Sequence, residues 1–390
     1  MNTIYFAGGC FWGTQHFLNQ FEGVVQTEVG YANGSIANPT YQEVYTDQTG
    51  HVECVRVIYD SNIISLETLC RLFFKSIDPL LKNRQGNDCG TRYRTGIYWI
   101  EESDEDVVNK VFEEVQMKYN EPLVVEKAPL DCFYTGEEYH QQYLVKNPEG
   151  YCHLSPVLIH FAKIYTLIIK ELRKYSDEQK KVVLPKFFKT GVGEYAQGDQ
   201  FLGAVVPNTR KVAKQFKEIP FEVIEWLLES QWHEVRLCAL LIIVERYKTS
   251  PEEAVRFYVA HTKHINNWDL VDLSAPYVLG NYLFGQEDHH ILYQLAQSEN
   301  MWEQRIAIVS TMALIRGDSF DDTMKLAKMF LSTKHDLIQK AAGWMLREVG
   351  KRNEPVLTDF LTENKDKMPR TMLRYAIEKF PAEKRREFMR

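Results

Sequence analysis

Apolar residues fall differently in the two parts of this chain. Ile4-Tyr5-Phe6-Ala7 is a short apolar run that predicts a strand, and Thr14-Gln15-His16-Phe17-Leu18 predicts a helix. Residues 53–59 alternate like a second strand, 66–77 have helical spacing, and 95–100 predict a further strand. A charged helix follows, with Ser103 expected as its N-cap. Residues 147–156 have the Asn, Pro and Gly chemistry of a closing loop. Beyond 157 the strand signals stop. Helical patterns recur at 221–229, 233–248, 251–264, 302–316 and 336–349, separated by short breaks. Short breaks predict antiparallel helix pairs, and repeated pairs predict a superhelical stack without a strict sequence period. The expectation is an α/β (α+β) sandwich domain over 1–156, followed by an all-α superhelix over 160–390.

Composition agrees with two globular units: 390 residues exceed one ordinary domain. No apolar run is long enough to span a membrane, and no basic segment precedes an apolar one at the N-terminus, so neither anchor nor signal peptide is expected. Seven cysteines without repeating spacing predict free thiols in a reducing cytoplasm. No CxxC pair exists, and no metal site is expected. Charge is uneven. Residues 1–160 carry 11 Lys and Arg against 22 Asp and Glu, a net of −11, whereas 161–390 carry 35 against 31, a net of +4. The second unit is therefore the more compatible with an anionic partner.

The run Gly9-Cys10-Phe11-Trp12-Gly13 places a cysteine at a strand-to-helix turn. A helix N-terminus carries positive partial charge, so Cys10 is expected to favour thiolate. Phe11 and Trp12 can wall an apolar pocket beside it. Glu53 shares a strand face with Val55 and Val57, and burial there would raise its pKa.

Four further segments accompany this turn: Asn38-Pro39-Thr40-Tyr41, Thr49-Gly50-His51-Val52-Glu53, Asn87-Asp88-Cys89-Gly90-Thr91-Arg92-Tyr93, and Glu138-Tyr139-His140-Gln141. Together they resemble peptide methionine sulfoxide reductase A over residues 1–155. The resemblance implies that Cys10 is the nucleophile, Glu53 the acid, and Tyr41 and Tyr93 donors to the sulfoxide oxygen. It implies that Phe11 and Trp12 hold the methyl group and that Asp88 orders the site through water. A second thiol must resolve the sulfenic acid. Cys152, in the closing loop, is preferred; Cys89, beside Asp88, is the rival. No cofactor is implied beyond an external dithiol such as thioredoxin. His51 and His140 are read as hydrogen-bonding scaffold.

In the second part, Asn267-Trp268-Asp269-Leu270-Val271-Asp272 puts Trp268 and Asp272 on one helix face. Trp302-Glu303-Gln304-Arg305 and Trp344 follow. The set resembles the bacterial DNA alkylation repair glycosylases built from HEAT-like repeats. The resemblance implies that Asp272 stabilises an oxocarbenium sugar, that Trp268 and Trp344 pack on the deoxyribose, and that Arg305 holds a phosphate of alkylated double-stranded DNA. A noncatalytic DNA- or protein-binding helical module is the alternative.

Overall fold

The computed structural model describes residues 1–389, and the chain forms two compact units, Met1–Lys170 and Glu171–Arg390. The first unit is built in the order β1 (Asn2–Gly8), α1 (Phe11–Leu18), β2 (Val24–Ala32), α2 (Tyr41–Tyr45), β3 (Val52–Tyr59) and α3 (Leu66–Ser76). A two-stranded ribbon follows, β4 (Arg84–Gln85) with β5 (Asp88–Cys89). Then come β6 (Thr95–Trp99), α4 (Ser103–Gln116), β7 (Glu126–Pro129), β8 (Phe133–Thr135) and α5 (Tyr143–Lys146). The main sheet runs β7-β6-β1-β3-β2-β8, antiparallel except for the β6–β7 pair.

Alternation along β3 decides what each face carries. Val52 and Cys54 join Tyr5, Ala7, Ala32 and Tyr98 in one apolar cluster. Glu53 therefore projects to the opposite face, as does its register partner Tyr31. That face also carries Phe6, stacked on Phe73 of α3 with ring centroids 5.0 Å apart. Phe17, Leu69 and Phe73 are fully buried there. One boundary differs from expectation. Ser103 is the first helical residue of α4 rather than its cap: Glu102 holds that position without a side-chain cap. Three first-turn acids, Asp104, Glu105 and Asp106, supply the favourable negative charge instead.

Helix α6 (Pro156–Arg173) leads the chain onward. The second unit contains α7 (Glu178–Phe187), α8 (Val206–Gln215), α9 (Phe221–Leu228), α10 (His233–Tyr247), α11 (Pro251–Ala260) and α12 (Trp268–Asp272). A π-helical turn, Pro276–Gly280, separates these from α13 (Asn281–Leu283), α14 (His290–Ala296), α15 (Met301–Arg316) and α16 (Asp321–Met329). Last come α17 (Asp336–Arg352), α18 (Glu354–Asn364), α19 (Arg370–Ala376) and α20 (Ala382–Met389). Every second long helix packs on the next, α8 on α10, α15 on α17 and α17 on α19. This gives an inner layer flanked by α9, α16 and α18. Helices α10 and α15 are buried almost all round and carry apolar residues on every side. Gly343 allows a close approach in that layer: a Cβ there would lie 2.4 Å from the Met372 carbonyl of α19. Pro276 cannot donate an N–H, and the ladder after α12 slips to a five-residue bond from Gly280 to Ala275. Among the described residues no helix is long and apolar enough to cross a membrane.

Candidate active sites

Cys10 caps α1 in extended backbone, only 6% exposed. Its side chain caps nothing, so the first helical N–H needs another acceptor. Glu53, 1% exposed, supplies it: Phe11 N donates to Glu53 Oε2 at 3.0 Å. One hydrogen bond thus ties the nucleophile's turn to the acid on β3. Burial raises the Glu53 carboxyl from 4.5 to about 8, against the opposing pull of the Phe11 N–H and of Arg92. Arg92 is itself engaged by another carboxylate. Its Nη1 donates to Asp47 Oδ2 at 2.7 Å. Glu53 is consequently a protonated acid at neutral pH.

The expected thiolate is not what this environment favours. Burial pushes the Cys10 thiol well above its ordinary value, and the neighbouring Glu53 and Asp88 push it further. The Trp12 and Gly13 N–H groups act in the other direction, as the helix argument requires, but burial outweighs them. The resting site therefore holds a neutral thiol beside a neutral acid.

Phe11 and Trp12 stand as an aromatic wall, 6.5 Å apart between centroids. Tyr143 stacks on Trp12 at 3.8 Å, and Trp12 Nε1 donates to His140 Nδ1 at 3.1 Å. Tyr41 meets the His140 ring edge-on at 4.5 Å. Burial and the proximity of Glu53 raise both Tyr41 and Tyr93, the latter to about 12, so both phenols remain hydrogen-bond donors. Glu137, which sequence reasoning passed over, accepts from Tyr41 N at 2.8 Å and from Tyr31 Oη at 2.6 Å.

Three consecutive residues of the closing loop dock beside Cys10. Tyr151 Oη donates to Asp88 Oδ2 at 3.0 Å. The Cys152 Sγ lies 3.4 Å from the point a Gly13 Cβ would occupy, and the His153 ring lies 2.7 Å from the same point. Asp88 thus holds the loop directly. Cys89, its neighbour, is exposed and alternates away from Asp88 on β5. Cys54 is buried in the opposite face of the sheet. His153 and Tyr151 were not legible as site residues, since nothing in local sequence says that a loop folds back. Donor atoms of Cys10, Asp88 and His153 lie within 4.8 Å of one another, a set chemically suited to a soft cation such as zinc. A cation there would engage the nucleophile and block it.

The second unit has a cleft of about 730 Å³ lined by Trp268, Asp272, Arg305 and Trp344, with Tyr195 and Lys340 among the other walls. The four sequence-selected residues are brought together. Phe188 stacks on Trp268 at 5.4 Å and fixes its plane. Asn267 caps α12 through Trp268 N at 2.8 Å. Asp269 faces inward, where its Oδ2 meets His233 Nε2 at 2.8 Å. Arg305 is engaged within the protein. It is 5% exposed and forked onto Asp272, with Nε to Oδ1 at 3.0 Å and Nη2 to Oδ2 at 2.9 Å. Its Nη1 donates to the Leu337 carbonyl at 2.6 Å. A guanidinium so engaged orients a carboxylate.

A buried thiol at a helix start, a protonated acid and a second thiol on a docked loop define a cysteine-dependent oxidoreductase. The second unit is a helical-repeat protein with an acidic group in an aromatic cleft. Residues 2–165 match the family model for peptide methionine sulfoxide reductase, and residues 168–380 match that for DNA alkylation repair enzyme. The chain belongs to both families, as a fusion. The peptide methionine sulfoxide reductase MsrA of Mycoplasma pneumoniae is 51% identical over 154 residues, 40% of this chain and 98% of that protein. The reduced form of Mxr1 from Saccharomyces cerevisiae is 36% identical, with a TM-score of 0.38 over 39% of this chain and 90% of that one. A predicted DNA alkylation repair enzyme from Enterococcus faecalis is 21% identical, with a TM-score of 0.44 over 53% and 97%. The first unit is a peptide methionine sulfoxide reductase.

Proposed function

We propose that the first unit reduces methionine-S-sulfoxide, free or in proteins, through Cys10 and Cys152. The observation that carries this is the Phe11–Glu53 hydrogen bond, which sets a protonated acid against the turn that presents the thiol. The substrate methyl packs on Phe11 and Trp12, and its oxygen accepts from Tyr41 and Tyr93. Glu53 delivers a proton to that oxygen as the Cys10 sulfur attacks the sulfoxide sulfur. The Cys10 thiol proton leaves, Glu53 is reprotonated, and the hydroxyl passes to Cys10. Cysteine sulfur is oxidised by two electrons, the sulfoxide is reduced by two, and methionine departs. The Cys152 thiol then attacks the sulfenic sulfur, forming the disulfide and releasing water. An external dithiol, of which thioredoxin is the model, restores both thiols.

The test is a single-turnover assay without reductant. Cys10→Ser forms no methionine. Cys152→Ser forms one equivalent, retains the sulfenic acid and loses thioredoxin-driven cycling. Cycling by Cys152→Ser, with Cys89→Ser stalled, would move the resolving role to Cys89.

For the second unit we infer excision of N3- or N7-alkylated purines from double-stranded DNA. The supporting observation is Asp272 in an aromatic cleft, held by Arg305 and flanked by Trp268 and Trp344. Such bases carry positive charge and leave readily, so stabilising the oxocarbenium sugar suffices. The rings of Trp268 and Trp344 favour that cation through their faces. Arg305 acts through Asp272 as a positioning residue. The test is release of methylated purines from alkylated duplex. Asp272→Asn should abolish release while retaining DNA binding. Arg305→Ala should slow release without changing the salt dependence of binding. A wild type that binds duplex and releases nothing would make this unit a binding module.

A further inference from the structure

His153 is an imidazole that the reduction does not use. Its side chain is seated among three glycines. A Cβ at Gly13 would lie 2.7 Å from Cε1 and Nδ1, one at Gly9 3.8 Å from Nε2, and one at Gly86 3.7 Å from the His153 Cβ. Both ring nitrogens are shut off from solvent. Neither makes a hydrogen bond of normal geometry, although the Gly8 backbone lies close enough to act on the ring. Buried nitrogens left in this way call for a partner. Cys10 and Asp88 stand close by: one donor atom from each, together with one ring nitrogen, lie within 4.8 Å of one another. The three come from separate elements, the cap of α1, strand β5 and the closing loop. Tyr151 Oη donates to Asp88 Oδ2 at 3.0 Å and steadies that carboxylate from outside, as the outer partners of metal ligands do.

We propose that Cys10, Asp88 and His153 bind Zn2+ reversibly and that the bound ion switches the reductase off. The proposal rests on the reading of Cys10 as the nucleophile and adds the regulation of that site. Thiolate, imidazole and carboxylate are the ligand types that zinc takes, with a fourth position left for water. At zinc bond lengths of about 2.0–2.3 Å, the donors must draw together by roughly 1 Å. Calcium and magnesium, which prefer oxygen ligands, do not suit this set. Zinc displaces the Cys10 thiol proton to solvent, and the sulfur's electron pair goes to the metal instead of the sulfoxide sulfur. No electron is transferred, so a chelator restores the free thiol. His153 adjoins Cys152, so the same ion anchors the loop that carries the resolving thiol.

The experiment uses the reduced full chain with Zn2+, and with Co2+ as a coloured substitute. Zinc should stop single-turnover methionine formation and protect Cys10 from iodoacetamide, and EDTA should reverse both. Co2+ should show the absorption band of a thiolate ligand. His153→Ala should weaken zinc binding, read by competition with a chromophoric chelator, by roughly 100-fold or more, since even an outer-shell loss costs about 10- to 100-fold. Gly13→Ala keeps all three ligands but displaces the ring, and should weaken binding too. Cys152→Ser should bind zinc as wild type does. Equal affinity in wild type and His153→Ala would overturn the proposal, and so would loss of binding in Cys152→Ser alone. Thiols by themselves would then hold the ion, and the reductase reading would stand. If the zinc-free chain forms no methionine, the reductase reading fails and the switch fails with it.

Discussion

Gly13→Ala should separate the two chemical steps of the reductase. Gly13 sits in ordinary helical backbone within α1, so alanine adds no backbone strain. The added methyl would instead stand 2.7 Å from Cε1 and Nδ1 of His153 and 3.4 Å from Cys152 Sγ. Carbon contacts relax at about 3.5–4.0 Å, so the His153 ring must withdraw by roughly 1 Å. Cys152 is the adjoining residue on the same docked loop, and its sulfur moves with it. Alanine gains up to about 1 kcal/mol of helix propensity, against about 1–3 kcal/mol for overpacking, so the unit stays folded. A displacement of about 1 Å in a reacting pair costs on the order of 100-fold in rate. The assay is rapid quench without reductant, counting methionine released and Cys10–Cys152 disulfide formed by non-reducing mass spectrometry. The methionine burst should be unchanged, and disulfide formation should slow by roughly 10- to 100-fold. Adding His153→Ala should recover part of that loss, a non-additivity expected of groups in contact. Disulfide formation at the wild-type rate would refute the reasoning. So would equal slowing of both steps, which would place the effect on the nucleophile.

Two further outcomes follow from buried titrations. Glu53→Gln should slow sulfenic acid formation by roughly 100-fold or more, as loss of a general acid does; an unchanged single-turnover rate would remove Glu53 from the mechanism. Because the folded-state pKa is raised from 4.5 to about 8, the wild-type carboxyl favours folding fully below 4.5 and loses that advantage as pH rises to 8. Calorimetry at pH 8.5 should therefore find the first unit of Glu53→Gln more stable than wild type, by on the order of 5 kcal/mol. In the second unit burial alone would lower His233, but Asp269 and Asp199 override it and raise the imidazole above 6.5. Its contribution to stability is full below 6.5 and is lost as pH rises through the raised value. His233→Gln should shallow that alkaline decline without abolishing it, since His289 is raised beside Asp322 in the same way. A decline of unchanged steepness would show that His233 is neutral throughout.

What the sequence made legible is what is local. The Gly-Cys-Phe-Trp-Gly turn, the face of β3 that carries Glu53, and the shared helix face of Trp268 and Asp272 follow from spacing alone. The ionisation of Cys10 did not, because the helix end is a local effect and burial a tertiary one. The partner of Arg305 lies 33 residues away on another helix, and no periodicity announces it. His153 is invisible for the same reason: its seat is the absence of a side chain at Gly13, over a hundred residues earlier.

The two sites apply one physical rule with different cation partners. A buried carboxylate without a dedicated cation becomes a neutral acid; one forked by a guanidinium is supported as an anion. Burial makes Glu53 the first kind, and Arg92, engaged by Asp47, does not offset it; burial raises Asp272 too, but there the Arg305 fork opposes the rise. Asp47→Asn tests the rule without touching the reacting atoms. Asparagine keeps an oxygen for the bonds Asp47 Oδ1 accepts from Arg92 N and Thr91 Oγ1, at 3.0 and 3.2 Å. It also tolerates the left-handed backbone at this position, φ 61°. The charge that occupies Arg92 is removed, and so is one that raises Glu53. The Glu53 pKa should fall, and with it the fraction of acid at neutral pH. Sulfenic acid formation should then slow although Cys10, Glu53 and both tyrosines are intact. Carboxyl-selective NMR titration of Glu53 reads the shift directly. An unmoved Glu53 would mean that burial alone sets its protonation, and that Arg92 and Asp47 merely pack.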